Sequence, residues 1–92
     1  MSYFLKDPGA ELDFEFDWAP WLGDAEIIAS AWAVTPDLPG GVTATSPGMT
    51  PRRTQALLSG GEPGRIYHVT NRVTLADGRR DERTLTVRVE TR

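Results

Sequence analysis

Between Gly64 and Val89 the chain alternates apolar and polar positions on both sides of a tight-turn signal. Tyr67, Val69, Asn71, Val73 and Leu75 share one parity, and Leu85, Val87 and Val89 share one after the Asp77-Gly78 pair. A period of two is that of a strand with one buried face. Gly tolerates φ > 0 and Asp tolerates it better than most residues, so Asp77-Gly78 predicts the turn of a long β-hairpin.

The preceding residues read as shorter strands separated by turns. Leu12, Phe14 and Phe16 alternate with Glu11, Asp13, Glu15 and Asp17, which predicts a half-buried strand. Trp18 to Asp24 is too broken by Pro20 and Gly23 for a strand, and predicts one helical turn folding aromatics over the end of the core. Ile28, Ser30, Trp32 and Val34 share one face of the next segment, with Ala29, Ala31 and Ala33 on the other. Neither face is charged, which predicts a strand over 27–34 covered on both sides. Alanine also permits a helix there, but Pro36 and Pro39-Gly40-Gly41 close the segment and favour a strand. Val42 to Ser46 predicts a short edge strand, Pro47 to Pro51 a loop, Thr54 to Ser59 a strand, and Gly60 to Gly64 the corner before the hairpin. Lys6-Asp7-Pro8-Gly9 reads as a turn.

Strand signals at this spacing predict an all-β fold, an immunoglobulin-like β-sandwich of about seven strands. The Gly64-x-x-Tyr67-x-Val69 opening is similar to the sixth strand of such a sandwich, where the Tyr hydroxyl bonds back to the preceding corner. Phe14, Trp32, Tyr67 and Val69 take the anchor positions of the core, with Trp32 at its centre. Phe14 and Val69 stand where a disulfide often joins two strands. The chain has no Cys, so hydrophobic contact replaces that bond, and thiolate chemistry and Cys-based zinc sites are excluded.

Ninety-two residues make one domain, 1–92, with a short arm over about residues 1–9. The arm carries Tyr3-Phe4-Leu5 ahead of Pro8-Gly9. It either pairs as the first strand of its own sheet or leaves it to dock on a neighbour. No apolar run approaches the ~20 residues of a membrane span. Met1 to Asp7 lacks the basic start and apolar core of a signal peptide, which predicts synthesis in the cytoplasm.

Net charge is −3, unevenly spread. Asp7, Glu11, Asp13, Glu15, Asp17, Asp24 and Glu26 face Lys6 alone in the first part, whereas nine Arg follow from Arg52 onward. Charged outer strand faces account for this. The sharper reading is complementary poles that pair between subunits, or a basic face for an acidic partner.

Candidate chemistry is sparse. His68 is the one histidine and lies on the outward parity, which leaves a Ser–His–Asp site or a His-rich metal site without support. Asp13, Glu15 and Asp17 project at strand spacing. They suit a solvated face better than a calcium loop or a glycosidase pair, and they alone motivate a small-enzyme reading. Gly60 to Arg65 lacks the Lys-Ser/Thr ending of a phosphate loop. Asp77, Asp81 and Glu82 interrupt the basic run of Arg72, Arg79, Arg80, Arg83 and Arg88, which argues against nucleic acid. No catalytic residue, cofactor or metal is assigned. The candidate contact residues are Tyr3, Phe4 and Leu5 of the arm, with Trp18 and Trp21, of which one is expected to cap the core and the other to offer an anchor.

Lys6-Asp7-Pro8, Leu12-Asp13-Phe14, Phe16-Asp17-Trp18, Trp21-Leu22 and Asp24, followed by Leu58-Ser59-Gly60-Gly61, Gly64, Tyr67-His68-Val69-Thr70-Asn71-Arg72-Val73-Thr74 and Gly78-Arg79-Arg80-Asp81-Glu82-Arg83, form a pattern. In order and spacing it resembles that of small immunoglobulin-like phage and prophage virion proteins described as fibre–tail adaptors. The chain departs from that pattern at Ala25 and at Ala56-Leu57. The resemblance implies a non-enzymatic structural component of a tailed-phage virion, made in the bacterial host cytoplasm. Its implied partners are other virion proteins at the tail, neck or fibre, with further copies of itself in the particle, and neither nucleic acid nor membrane. The alternative, motivated by Trp18 and Trp21, is a surface- or carbohydrate-binding module.

Overall fold

The computed structural model describes residues 2–91. Its strands are β1 (Ser2–Lys6), β2 (Leu12–Asp17), β3 (Ile27–Thr35), β4 (Thr43–Met49), β5 (Arg53–Ser59), β6 (Ile66–Leu75) and β7 (Arg80–Val89), with one helical turn, α1 (Ala19–Leu22). They form two sheets, ordered β1-β7-β6-β3 and β2-β5-β4. The β3-β6-β7 and β2-β5-β4 neighbours reproduce the C-F-G and B-E-D orders of an immunoglobulin-like sandwich, so the all-β expectation holds.

The hairpin forms as its periodicity predicts. Tyr67, Val69, Asn71, Val73 and Leu75 of β6 and Leu85, Val87 and Val89 of β7 are all buried. The turn is a three-residue loop rather than a two-residue one. Gly78 N–H donates to Leu75 O at 2.9 Å, Leu75 N–H donates to Arg79 O at 2.8 Å, and of the turn residues only Gly78 has positive φ, at 92°. Asp77 acts through its carboxylate, which accepts from Arg79 N–H at 3.0 Å and Arg79 Nε at 2.8 Å. The Arg79 amide, and then its guanidinium, hold the Asp77 carboxyl below its ordinary value. A Cβ at Gly78 would meet nothing within 4 Å, so only the backbone conformation restricts this site. Gly78→Val is expected to cost about 1–3 kcal/mol, read as a fall in Tm on thermal melting. An unchanged Tm would reject this turn geometry.

At the opposite end of the hairpin the Tyr67 hydroxyl accepts from Glu62 N–H at 3.0 Å, tying β6 to the corner as expected. The corner is also bound by Lys6, whose Nζ donates to Gly60 O at 2.7 Å and Asp7 O at 3.0 Å. Lys6 is therefore the buried last residue of β1, 1% exposed, and not part of the turn that the sequence suggests. Desolvation pushes its ammonium below the usual lysine range, against the pull of the Asp7 and Glu11 carboxylates.

Three other expectations are revised. β4 continues through Pro47 and Gly48 to Met49, because a register shift between Thr45 and Gly48 accommodates them at a sheet edge. In β3 a register shift between Ile27 and Ala29 turns Ile27 inward and leaves Ile28 58% exposed, so Ile28 does not share the face of Ser30, Trp32 and Val34. Ala29, Ala31 and Ala33 are also exposed, so β3 is covered on one face only.

Candidate functional site

The candidate contact residues separate to the two ends of a body 42 Å long and about half as wide, 22 × 20 Å. One end is built by α1 and the β6–β7 turn. Trp18 is the residue before α1, and Pro20 in the first turn suits a helix start because it has no N–H to leave unpaired. Trp18 N–H donates to Arg52 O at 3.0 Å and Ala19 N–H to the Asp17 carboxylate at 3.0 Å, which fixes how the turn leaves β2.

Trp18 is completely buried, so as a contact residue it is corrected to a core residue. Its ring meets Phe16 edge-on at 6.2 Å and Trp21 at 5.8 Å. Its Nε1–H points to Thr54 Oγ1 at 3.0 Å and Asn71 Oδ1 at 3.2 Å. Arg83 lies over the ring with Cζ 4.3 Å from the centroid, and its guanidinium also donates to Asp17 O at 3.2 Å.

Trp21 is 37% exposed and is the accessible aromatic of the pair. The Arg79 guanidinium sits 5.3 Å from its ring centroid and is held there by Asp77. This end thus presents an amphipathic indole and a positioned arginine, residue types that dominate interface energetics, beside the Asp77 carboxylate. The sequence grouped Arg79 and Arg83 with a basic run. Their placement on Trp rings follows from the hairpin turn folding against α1, which no local spacing reveals.

The other end carries Leu5. The backbone of Ser2–Lys6 pairs in parallel with β7 of the same chain, so in this structure the arm is the first strand of its own sheet. The Tyr3 and Phe4 side chains lie outside the described residues. Leu5 aligns with Arg88 and Arg88 with Ile66, a row in which Leu5 is 41% and Ile66 46% exposed. From Arg80, beside the turn, to Arg88 is eight residues, about 27 Å of antiparallel strand, so Leu5 and Trp21 do not form one surface.

The remaining candidates are placed as follows. Tyr67 and Val69 are fully buried core residues, whereas Phe14 and Trp32 are partly buried and pack against that core. Trp32 stacks on Phe16 at 5.7 Å, and its buried Nε1–H has no acceptor among the described residues. Glu15 is engaged by Arg53 at 3.3 Å and Gln55 at 2.8 Å, so this carboxylate serves the β2–β5 face. His68 is exposed beside Thr86 Oγ1 at 3.4 Å. Among the described residues no group of His, Asp and Glu is placed to hold a metal ion, and no helix is long and apolar enough to cross a membrane.

A comparison with curated proteins finds no match to the chain. The family model for the podophage GP4 fiber-tail adaptor protein gp77 matches residues 6–88, from the last residue of β1 almost to the end of β7. The match takes in strands of both sheets, the Trp21–Arg79 end and, of the other end, Ile66 but not Leu5, and the chain belongs to the podophage GP4 fiber-tail adaptor protein gp77 family.

Proposed function

We propose that this chain is a non-enzymatic, immunoglobulin-like structural component of a tailed-phage virion, an adaptor at the tail, neck or fibre. It is made in the host cytoplasm and holds other virion proteins through its two ends. The observation that carries this reading is the family match over residues 6–88. The geometry agrees with it, because an adaptor needs two separate contact surfaces on a stiff body. The Trp21–Arg79 end and the Leu5–Ile66 end are such surfaces on a sandwich 42 Å long. The carbohydrate alternative is less well served, since Arg79 lies over Trp21 on one side and Trp18 meets it edge-on, which crowds the ring a sugar would stack on.

Phage carrying Trp21→Ala, and phage lacking the chain, supply the test. The variant protein is expected to stay folded in isolation yet be depleted from purified virions, and particles without the chain are expected to lose fibres. Mass spectrometry of purified wild-type virions that finds none of the chain overturns the proposal. Glycan-array binding lost in Trp21→Ala, with normal incorporation into particles, replaces it by the carbohydrate reading.

A further inference from the structure

Two open sheets present four edge strands, and three of them carry features that discourage pairing with another chain. β1 is short, at 5 residues, and ends in the inward-pointing Lys6. β2 carries Asp13, Glu15 and Asp17. β4 contains Pro47 and the register shift between Thr45 and Gly48. The fourth edge, β3, differs. Its 9 residues, Ile-Ile-Ala-Ser-Ala-Trp-Ala-Val-Thr, include no charge and no proline. Its first amide is already used, Ile27 N–H donating to Pro51 O at 2.8 Å, and its one register shift lies at that same end. From Ala29 to Thr35 it runs in unbroken register with β6 on one side and ends the sheet on the other.

The row of backbone groups on such an edge is a ready template for another extended strand. We infer that β3 pairs antiparallel with β3 of a second copy of this chain, about a two-fold axis at Ala31. This names one partner of the adaptor proposed above and rests on that reading only for its setting in the virion. In this register Ala29 faces Ala33 of the second copy, Ala31 faces its own counterpart, and Ser30 faces Trp32. The outer face therefore matches three small, exposed side chains with themselves and brings no like charges together. The nearest charged residue on the adjoining strand, Arg72, which is aligned with Ala31, is neutralised by Glu82 at 3.1 Å. The acidic β2 edge has no such self-complementarity, and the contrast selects β3 for contact between copies. The two four-stranded sheets then become one continuous sheet, with the Trp21 and Leu5 ends of each copy left free.

Sedimentation equilibrium on the full chain, carried to millimolar concentration, tests this. The wild type is expected to show a monomer–dimer equilibrium. Ala31→Lys and Ala31→Glu each place like charges opposite one another across the axis and are expected to weaken the dimer about tenfold or more. An equimolar mixture of the two variants is expected to recover it. Ala31 is exposed, so both variants should melt as the wild type does, and circular dichroism checks this. A wild type that stays monomeric throughout, variants that dimerise as well as the wild type, or a mixture that fails to recover the dimer each overturns the inference. Finding the chain in virions under any of those outcomes leaves the adaptor reading standing without it.

Discussion

Trp18→Ala is expected to remove about 3–5 kcal/mol of stability, a large share of the ~5–14 kcal/mol that a chain of this length holds in total. The indole is completely buried where both sheets, α1 and the β6–β7 hairpin meet. Its removal takes the edge-on partner from Phe16 and Trp21, the ring from beneath Arg83, and a donor from Thr54 and Asn71. The site cannot collapse to fill the space, because its walls belong to β2, β5, β6 and β7, each fixed by its own ladder, and to α1. Urea unfolding should show a large fall in midpoint for Trp18→Ala. Trp32→Ala should cost less, since Trp32 stacks on Phe16 from a partly exposed position and makes no hydrogen bond through Nε1 among the described residues. Equal losses in the two variants, or a larger loss for Trp32, would show that the centre of the core lies at Trp32, as strand position alone suggested.

That reversal shows which parts of the fold were legible in the sequence. Strand parity is a local property, so the hairpin, the inward row from Tyr67 to Leu75 and the half-buried β2 could be read directly from the residues. The helical turn at Ala19–Leu22 was also legible, because Pro20 and Gly23 forbid a strand. Which Trp it buries was not, since that depends on where the β6–β7 turn folds over α1. Ile28 was misplaced because one extra residue in β3 inverts the parity of everything before it, and a period of two carries no mark of a bulge. Lys6 was misplaced because lysine is ordinarily exposed. Its burial depends on Gly60 O, which lies 54 residues away in the chain. Of the candidate contacts, Leu5 was legible as part of an apolar arm, and Trp21 only as one of two aromatics of which one caps the core. Arg79 and Arg83 were not, because an arginine over an indole is a tertiary fact.

Asn71 was visible as the one polar residue on the inward row of β6, and its replacement is expected to be the second severe lesion. Its amide orientation follows from its neighbours. Oδ1 accepts from Thr54 Oγ1 at 2.6 Å and Trp18 Nε1 at 3.2 Å, while Nδ2 donates to Ser30 Oγ at 2.8 Å and Ala31 O at 3.1 Å. The four bonds join β6 to its neighbour β3, to β5 of the opposite sheet, and to the residue that starts α1. In Asn71→Leu the volume is nearly kept, so the loss comes from partners left buried without a mate. At about 1–3 kcal/mol for each such group, with Trp18 and Thr54 still able to bond each other, the expected cost is ~2–5 kcal/mol. Thr54→Val removes the hydroxyl that links the same two side chains, so the pair should not be additive. In the double variant the combined loss is expected to fall short of the sum by about 1 kcal/mol or more, measured as a double-mutant cycle in urea. Additive losses would mean that Thr54 and Asn71 act separately, and that apolar burial rather than this polar bridge sets the spacing of the two sheets at Trp18.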